Sequence, residues 1–429
     1  MSALLGIPVA VTVAGRVSSQ QELNITEGAD VYWRRIAELP TWLKAVMVGQ
    51  LVNGAGALAW VYLTLYLVED RGMSAQQAGF AAAAYGVGLV GGNLGGGWFG
   101  DRFGLRTAAL ASQLLWAAAC VAMPFVPGAA LAFLAALAGL FGGAGRPNLS
   151  ALVTTSLPPE RRREGVALSR TAANAGFTIG PPLGGLLAAY DFSLVFVVDA
   201  VTSLVMAVIV WRWVPSARRT PGPSATGLWK SVLSDRPVLM VLATIVVVDT
   251  AYRQIFATMP LLLRDAGTPA VAYGVLLGAS SVVIVLFEAP IAVRLQGHRA
   301  TRVIAAGFAC IGLGLAIIGV WPALAGAALA IVVMTAGEML YKPTATAHVA
   351  DAAPEGMVGR YSSLYAAASI SGMFLAPALG GTAYQHAPRL LYPVAAGLAL
   401  AAGAVLLLTR VKVRDVLPSE STAQPSSAS

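Results

Sequence analysis

Charge is what this 429-residue chain has least of: Asp, Glu, Lys and Arg together make up 11% of it. A soluble domain carries about 25%. A water-soluble fold of this composition would have too little to cover its surface with. An ordinary soluble enzyme, a nucleic-acid-binding protein and a disordered chain are therefore excluded together. Cysteine is nearly absent as well, and Cys120 and Cys310 both sit inside apolar runs, so there is no disulfide framework to read. The histidines His298, His348 and His386 are scattered, with no zinc-ligand spacing and no Walker phosphate loop anywhere. The missing P-loop argues against an ATP-driven pump. No catalytic constellation, cofactor site or metal site is expected.

What fills the chain is apolar. Hydrophobic residues make up 57%, and the mean hydropathy is +0.73. The runs are long and rich in alanine and leucine, without the alternation of a barrel strand. A bilayer core about 30 Å thick needs about 20 apolar residues per helix. Twelve stretches qualify: 42–67, 77–99, 106–126, 129–156, 165–189, 193–213, 238–263, 271–294, 302–321, 323–349, 360–384 and 390–410. Glycine and proline inside them are tolerated where neighbouring helices satisfy the freed backbone groups. Short connections predict that successive helices are antiparallel neighbours.

The net charge of +8 lies between the apolar runs, not in one patch. One set of loops holds Arg102, Arg106, Arg161 to Arg163, Arg218, Arg219, Lys230, Arg236, Arg299 and Arg302. The opposite set holds little beyond Arg71, Arg264 and Arg389. The positive-inside rule then puts both tails and the long middle loop in the cytoplasm. Residues 1–40 read as a cytoplasmic tail, because no basic segment precedes their apolar start and no plausible cleavage site follows. Residues 41–213 and 238–410 are the two sets of spans, joined by a cytoplasmic linker at 214–237. Residues 411–429 are a second tail, whose Ser-, Ala- and Pro-rich end at 417–429 is predicted to be disordered. Arginine far outnumbers lysine, and alanine and glycine abound, a composition of GC-rich bacterial genomes.

The linker splits the spans six and six, and the halves repeat. Arg146-Pro147 matches Lys342-Pro343 at an offset of 196 residues. At that offset Pro158 meets Pro354, Leu168 meets Leu364, Gly176 meets Gly372, Pro181 meets Pro377, and Gly184-Gly185 meets Gly380-Gly381. Gly104 and Arg106 align with Gly297 and Arg299 after one short gap. Two halves in the same orientation predict an all-α membrane protein with twelve transmembrane helices in two pseudo-symmetric six-helix bundles. A substrate site is expected between them near the midplane.

After the second span the chain reads Gly97-Trp98-Phe99-Gly100-Asp101-Arg102-Phe103-Gly104-Leu105-Arg106. Gly97 and Gly100 allow close helix approach, and Gly104 allows a tight turn. The segment resembles the loop signature of the major facilitator superfamily, G-x-x-x-D-R-x-G-x-R, at the place where that family carries it. The resemblance extends from the first span to the twelfth. It implies that Asp101 docks near the amino end of span eleven, at Gly359-Arg360-Tyr361-Ser362-Ser363, and latches the cytoplasmic side shut. Arg102 and Arg106 would add contacts across that seam. The second-half copy keeps Pro290, Gly297 and Arg299 but has Arg294 in place of the acid. In span five, Gly176, Gly180, Pro181, Gly184 and Gly185 resemble the antiporter motif of the superfamily's twelve-span drug exporters. Ordinary small-residue packing explains the same residues equally well.

Ionisable residues at span centres cost at least about 2.5 kcal/mol each. Arg146, Asp249, Arg253, Glu288, Glu338 and Lys342 are therefore candidates for coupling or substrate binding, with Asn53 in span one. Asp199 lies in the outer half of span six. Asp249 with Arg253, and Glu338 with Lys342, are spaced as i, i+4 pairs, either silent salt bridges or bridges that a proton opens. Glu288 has no base within a turn and is a candidate proton carrier or a protonated core residue. Arg146 resembles a basic residue in span four of many family exporters. Contact with substrate, charge relay from Asp101 and binding of backbone carbonyls all remain open for it. Many such exporters carry an acid in span one. Here that span has none before Glu69, which moves the expected proton site to the second half. Trp60, Tyr62, Tyr85, Trp116, Tyr252, Phe256 and Tyr365 could line a cavity.

These features predict a secondary transporter, not an enzyme. It would be a monomer in a bacterial cytoplasmic membrane, exporting small, largely apolar compounds by proton-coupled alternating access. Its partners would be a small-molecule substrate, protons and the lipid bilayer, with no nucleic acid. Alternatives are transport of a sugar, amino acid or lipid, and a non-transporting membrane scaffold.

Overall fold

The computed structural model describes residues 39–158, 161–215, 235–295, 297–353 and 358–408. Both expected tails, except residues 39–40, and most of the expected linker lie outside the described residues. Every regular element among those described is a helix. The first half runs α1 (Thr41–Gly56), α2 (Ala59–Glu69), α3 (Ala75–Phe103), α4 (Leu105–Ala122), α5 (Gly128–Thr155), α6 (Arg162–Tyr190) and α7 (Phe192–Trp213). The second runs α8 (Arg236–Tyr252), α9 (Gln254–Ala257), α10 (Met259–Asp265), α11 (Ala270–Arg294), α12 (Ala300–Val320), α13 (Leu324–Asp351), α14 (Val358–His386) and α15 (Pro388–Leu408).

α1 and α2 form one rod broken at Ala57-Leu58, and α8 to α10 form one rod broken at Arg253 and Thr258. Counted that way, the described residues make twelve rods. Ten of them are long and apolar enough to cross a membrane. The other two, α3 and α6, have 29 residues each, enough length to span. Glycine dilutes the hydropathy of α3, and Arg170 and Asn174 dilute that of α6. Large apolar side chains such as Phe133, Trp211, Val332 and Leu398 are exposed on the outside of the bundle, as lipid contact requires.

Local chemistry sets the ends. Ser74 and Gln77 form a reciprocal capping box at the start of α3, with bonds of 3.2 and 3.1 Å. The Asp235 carboxylate accepts from Val238 N at 3.2 Å, beside a proline in the first turn of α8. Among the described residues four glycines have positive φ: Gly104 (+93°) and Gly297 (+85°) at one end of the bundle, Gly72 (+64°) and Gly267 (+74°) at the other. Each pair joins equivalent rods of the two halves.

Packing repeats in the same way. In the first half α1 lies against α6 and α7, α3 against α5, and α4 against α5 and α7. In the second, α8 lies against α14 and α15, α11 against α13, and α12 against α13 and α15. Between the halves, α6 meets α11 and α14 meets α3. The α3–α5 seam is a glycine ladder. Gly88, Gly92, Gly96 and Gly100 fall on one face at four-residue spacing, and a Cβ on Gly96 would lie 2.7 Å from Ala144 Cα. Gly96 makes the close approach expected of Gly97, which is half-buried on the flank.

Candidate functional site

Both inter-half seams close at the Gly72–Gly267 end. A Cβ on Gly185 would sit 2.6 Å from Val271 Cα in α11, and one on Gly86 would sit 2.5 Å from the Met373 backbone in α14. Gly79 and Gly381 face each other across the α3–α14 seam, as Gly274 faces Pro181 across the α6–α11 seam. The span-five glycines and their second-half copies thus do two jobs. Gly176, Gly180 and Gly184 seat α1 and α2, with Tyr62 Oη donating to the Pro181 carbonyl at 2.6 Å, and Gly185 touches the opposite half. Gly372 packs on Asp249 and Gly380 on Gln254 in the same manner.

A cavity of about 460 Å³ lies inside the first half. Its inner wall carries the aromatic residues Trp60, Tyr85, Trp116 and Phe177. Its remaining lining, from Asn53 and Arg146 to Arg170 and Val210, runs along each helix toward the Gly104 end. Arg146, Ser150, Arg170 and Asn174 are exposed, so the cavity is open there. All of its lining residues belong to the first half. A second, smaller cavity of about 30 Å³ lies on the inter-half seam between Trp60, Tyr85, Arg253, Phe256 and Met373. Trp60 lies there, stacked on Phe177 at 6.0 Å and tilted against Phe256 at 5.0 Å.

The best-connected acid in the first half is Asp199 on α7, 1% exposed at the cavity wall. Its Oδ2 accepts at the α1–α2 break from Ala59 N at 2.9 Å and from Leu58 N at 3.0 Å, the latter also donating to the Gly56 carbonyl at 2.7 Å. Its Oδ1 accepts from Trp116 Nε1 at 2.8 Å. One turn further, Ser203 Oγ accepts from Asn53 Nδ2 at 3.1 Å. Sequence reasoning placed Asp199 but did not count it as a candidate. The glycines Gly54 and Gly56, just before the break, were the available signal.

In the second half the two expected i, i+4 pairs form and are joined. Arg253 Nε reaches Asp249 Oδ2 at 2.7 Å, and Lys342 pairs with Glu338. Tyr252 Oη donates to Glu338 Oε2 at 2.6 Å, and the Lys342 ammonium sits 4.8 Å from the Tyr252 ring centroid. Arg253 also donates to the Ser369 carbonyl at 3.2 Å and touches Met373 Sδ on α14. Asp249 Oδ1 and Tyr341 Oη are buried without a hydrogen-bond partner among the described residues. Glu288 lies within electrostatic reach of Glu338, Arg170 and Lys342. Among the described residues no group of three or more His, Cys, Asp or Glu could hold a metal ion.

At the Gly104 end, Asp101 is exposed and makes no hydrogen bond or ion pair among the described residues. The side chains of Gly359 and Arg360, part of its expected dock, lie outside them. Tyr361 Oη donates to Asp235 Oδ2 at 3.4 Å. Arg106 donates to the carbonyls of Val210 and Trp211, capping the C-terminus of α7 in its own half. The Arg102 guanidinium lies 5.9 Å from the Trp98 ring and 5.8 Å from that of Phe103.

Comparison with known proteins agrees with this architecture. The family model of the Major Facilitator Superfamily matches residues 46–377. The MFS-type transporter YttB of Bacillus subtilis is 25% identical over 356 residues, 81% of this chain and 89% of that protein. The multidrug resistance protein MdtH of Salmonella arizonae is 29% identical over 218 residues, 48% of this chain and 52% of that protein. A crystal structure of a POT family transporter in complex with 5-aminolevulinic acid superposes with a TM-score of 0.74 at 13% identity, over 87% of this chain and 97% of that one.

Proposed function

The chain belongs to the major facilitator superfamily, and from that membership we propose that it exports small organic compounds by alternating access, in exchange for protons. It is a multi-pass membrane transporter and not an enzyme. The observation that carries the alternating-access reading is the contrast between its ends, and the export direction rests on the similarity to a protein named for multidrug resistance. Glycine packing closes the Gly72–Gly267 end, while a cavity of about 460 Å³ opens at the Gly104 end. The positive-inside rule puts the Gly104 end, and both tails, in the cytoplasm of a bacterial cell. The cavity would then load from inside. Rocking of the two halves about the α6–α11 and α3–α14 seams would expose it on the other side. One chain holds both halves, so a monomer is the working unit.

Aromatic side chains on the inner wall favour cargo with an apolar body, and the similarity to a protein named for multidrug resistance supports efflux. Asp249, Glu338 and Glu288 are the proposed proton carriers. A proton on Asp249 would weaken its bridge to Arg253, which also holds α14, so uptake there would shift α8 against α14. Asp101 would dock on the amino end of α14 as the cytoplasmic end closes, where free N–H groups favour an anion.

The test is expression in a pump-deficient bacterial host. Resistance to several unrelated compounds should rise and should vanish with a protonophore. Accumulation in place of depletion would favour uptake of a physiological solute, and no change in either direction would favour a scaffold. Purified protein in proteoliposomes with an imposed pH gradient gives the same answer without the cell.

A further inference from the structure

The exporter reading leaves the chemistry of the cargo open, and the cavity wall narrows it. Arg146 on α5 and Arg170 on α6 line the same cavity, both exposed into it. Neither makes a hydrogen bond or ion pair among the described residues. Asp199, the acid on that wall, is occupied, since its two oxygens take three donors from Leu58, Ala59 and Trp116. Glu288, on the opposite half, is within electrostatic reach of Arg170 but forms no ion pair with it. While the cavity is open, water solvates the two guanidiniums. When the halves close round a cargo that water leaves, and two buried cations without an anion are strongly unfavourable. The first-half wall supplies no free anion of its own, and an anionic cargo would complete it.

Guanidinium is a planar fork of donors that matches an oxyanion in two-point contact. Beside the two arginines, Trp60 and Phe177 stack at an interplanar angle of 15° and offer a flat apolar surface. Asn53 and Asn174 add amide donors. About 460 Å³ is the size of site that holds a drug-sized molecule. Building on the transporter reading above, we propose that the first-half cavity binds amphiphilic organic anions, with a carboxylate or similar oxyanion between Arg146 and Arg170 and an aromatic body against Trp60 and Phe177.

The test uses the full chain, purified in detergent, and a matched pair of probes, 1-naphthaleneacetate and its neutral amide, with tetraphenylphosphonium as the cationic comparator. Calorimetry should find the acid bound about tenfold or more tightly than the amide, the worth of one charge-assisted hydrogen bond. Arg146→Gln and Arg170→Gln should each shrink that ratio, and Arg146→Lys should keep part of it. Equal binding of acid and amide, or tighter binding of the phosphonium, overturns the proposal. So does a preference for the acid that survives the double Gln variant. Should a Gln variant fail to fold, the ratio on the unaltered chain decides. Tight binding of the acid without proton-driven transport in proteoliposomes keeps this site and sinks the exporter reading. Proton-driven transport of neutral or cationic dyes with no preference for the acid does the reverse.

Discussion

At the offset of 196 residues, the second half places Tyr252, Arg253, Glu338 and Tyr341 where the first half has Gly56, Ala57, Gly142 and Gly145. Tyr365 likewise stands where the first half has Ser169. The same offset relates the helix breaks at Ala57 and Arg253, and it sets Gly184 on Leu58 as it sets Gly380 on Gln254. The backbones therefore share a register while the side chains diverge in bulk and charge. Where the second half carries ion pairs and bulky tyrosines, with Tyr252 bonded to Glu338, the first half carries glycines and a cavity of about 460 Å³. Lys342 has Glu338 one turn away, whereas the position that would pair with Arg146 is Gly142. Acidity is exchanged too: Asn53 matches Asp249, and Asp199 matches Ala395. Duplication supplied the scaffold, and side chains absent from one copy supplied the hole. On the function proposed here, the first half binds cargo and the second half handles protons.

Moving residues between the copies tests that division. The largest effect is expected from Gly145→Tyr, which copies Tyr341 into the cavity. A Cβ at Gly145 meets Ser112 Cβ at 3.4 Å, ordinary contact, so the helix can accept it and the ring occupies the cargo space. Binding and transport should fall to background while the thermal melt of the purified protein stays near that of the parent. Retained transport would separate the cavity from function. Next is Asp249→Asn, which copies Asn53. It leaves Arg253 without its counter-charge and is expected to cost about 3–5 kcal/mol. Thermal unfolding in detergent would show that cost, and downhill efflux should persist while accumulation against a gradient is lost.

Much of the scaffold was legible because it rests on local pattern. Runs of apolar residues marked the rods, and Gly104 and Gly297 marked matching turns that both adopt positive φ. What could not be read was contact across distance. Asp199 meets Leu58, Ala59 and Trp116 at separations of 141, 140 and 83 residues. No spacing rule connects an acid in α7 to a helix break in α1, least of all a break without proline. The two ion pairs of the second half were visible as i, i+4 spacings, but Tyr252, which ties Glu338 to the Asp249–Arg253 rod, lies 86 residues from its partner. The cavity was hidden for a related reason. Glycine in a span reads as close packing, and Gly88, Gly92 and Gly96 do pack closely, whereas Gly145 lines open space.

Asp199→Asn gives a smaller effect on the same comparison. The amide keeps one acceptor but turns an N–H toward donors already present, leaving one of them unpaired at a cost of about 1–3 kcal/mol. Because Asp199 holds the α1–α2 break, the loss should appear as faster hydrogen exchange at Leu58 and Ala59. Unchanged protection there would mean that the break stands without its acid, as its second-half counterpart does opposite Ala395.

The smallest effect is expected where the halves agree. Gly104 has φ +93° and Gly297 has φ +85°, each in the loop that joins the second and third rods of its half. A Cβ at either position would meet nothing within 4 Å, so the cost of alanine is conformational and not steric. Holding an L-residue in so sparsely populated a region costs on the order of 1–3 kcal/mol. Gly104→Ala and Gly297→Ala should therefore lower thermal stability by nearly equal amounts, although Asp101 stands beside the first turn and Arg294 beside the second. Equal losses would mean that the turns serve the duplicated backbone alone. A larger loss of transport in Gly104→Ala, at matched stability, would show that the first turn also positions Asp101 for its dock on α14, and would extend the asymmetry of the halves from the cavity to the gate.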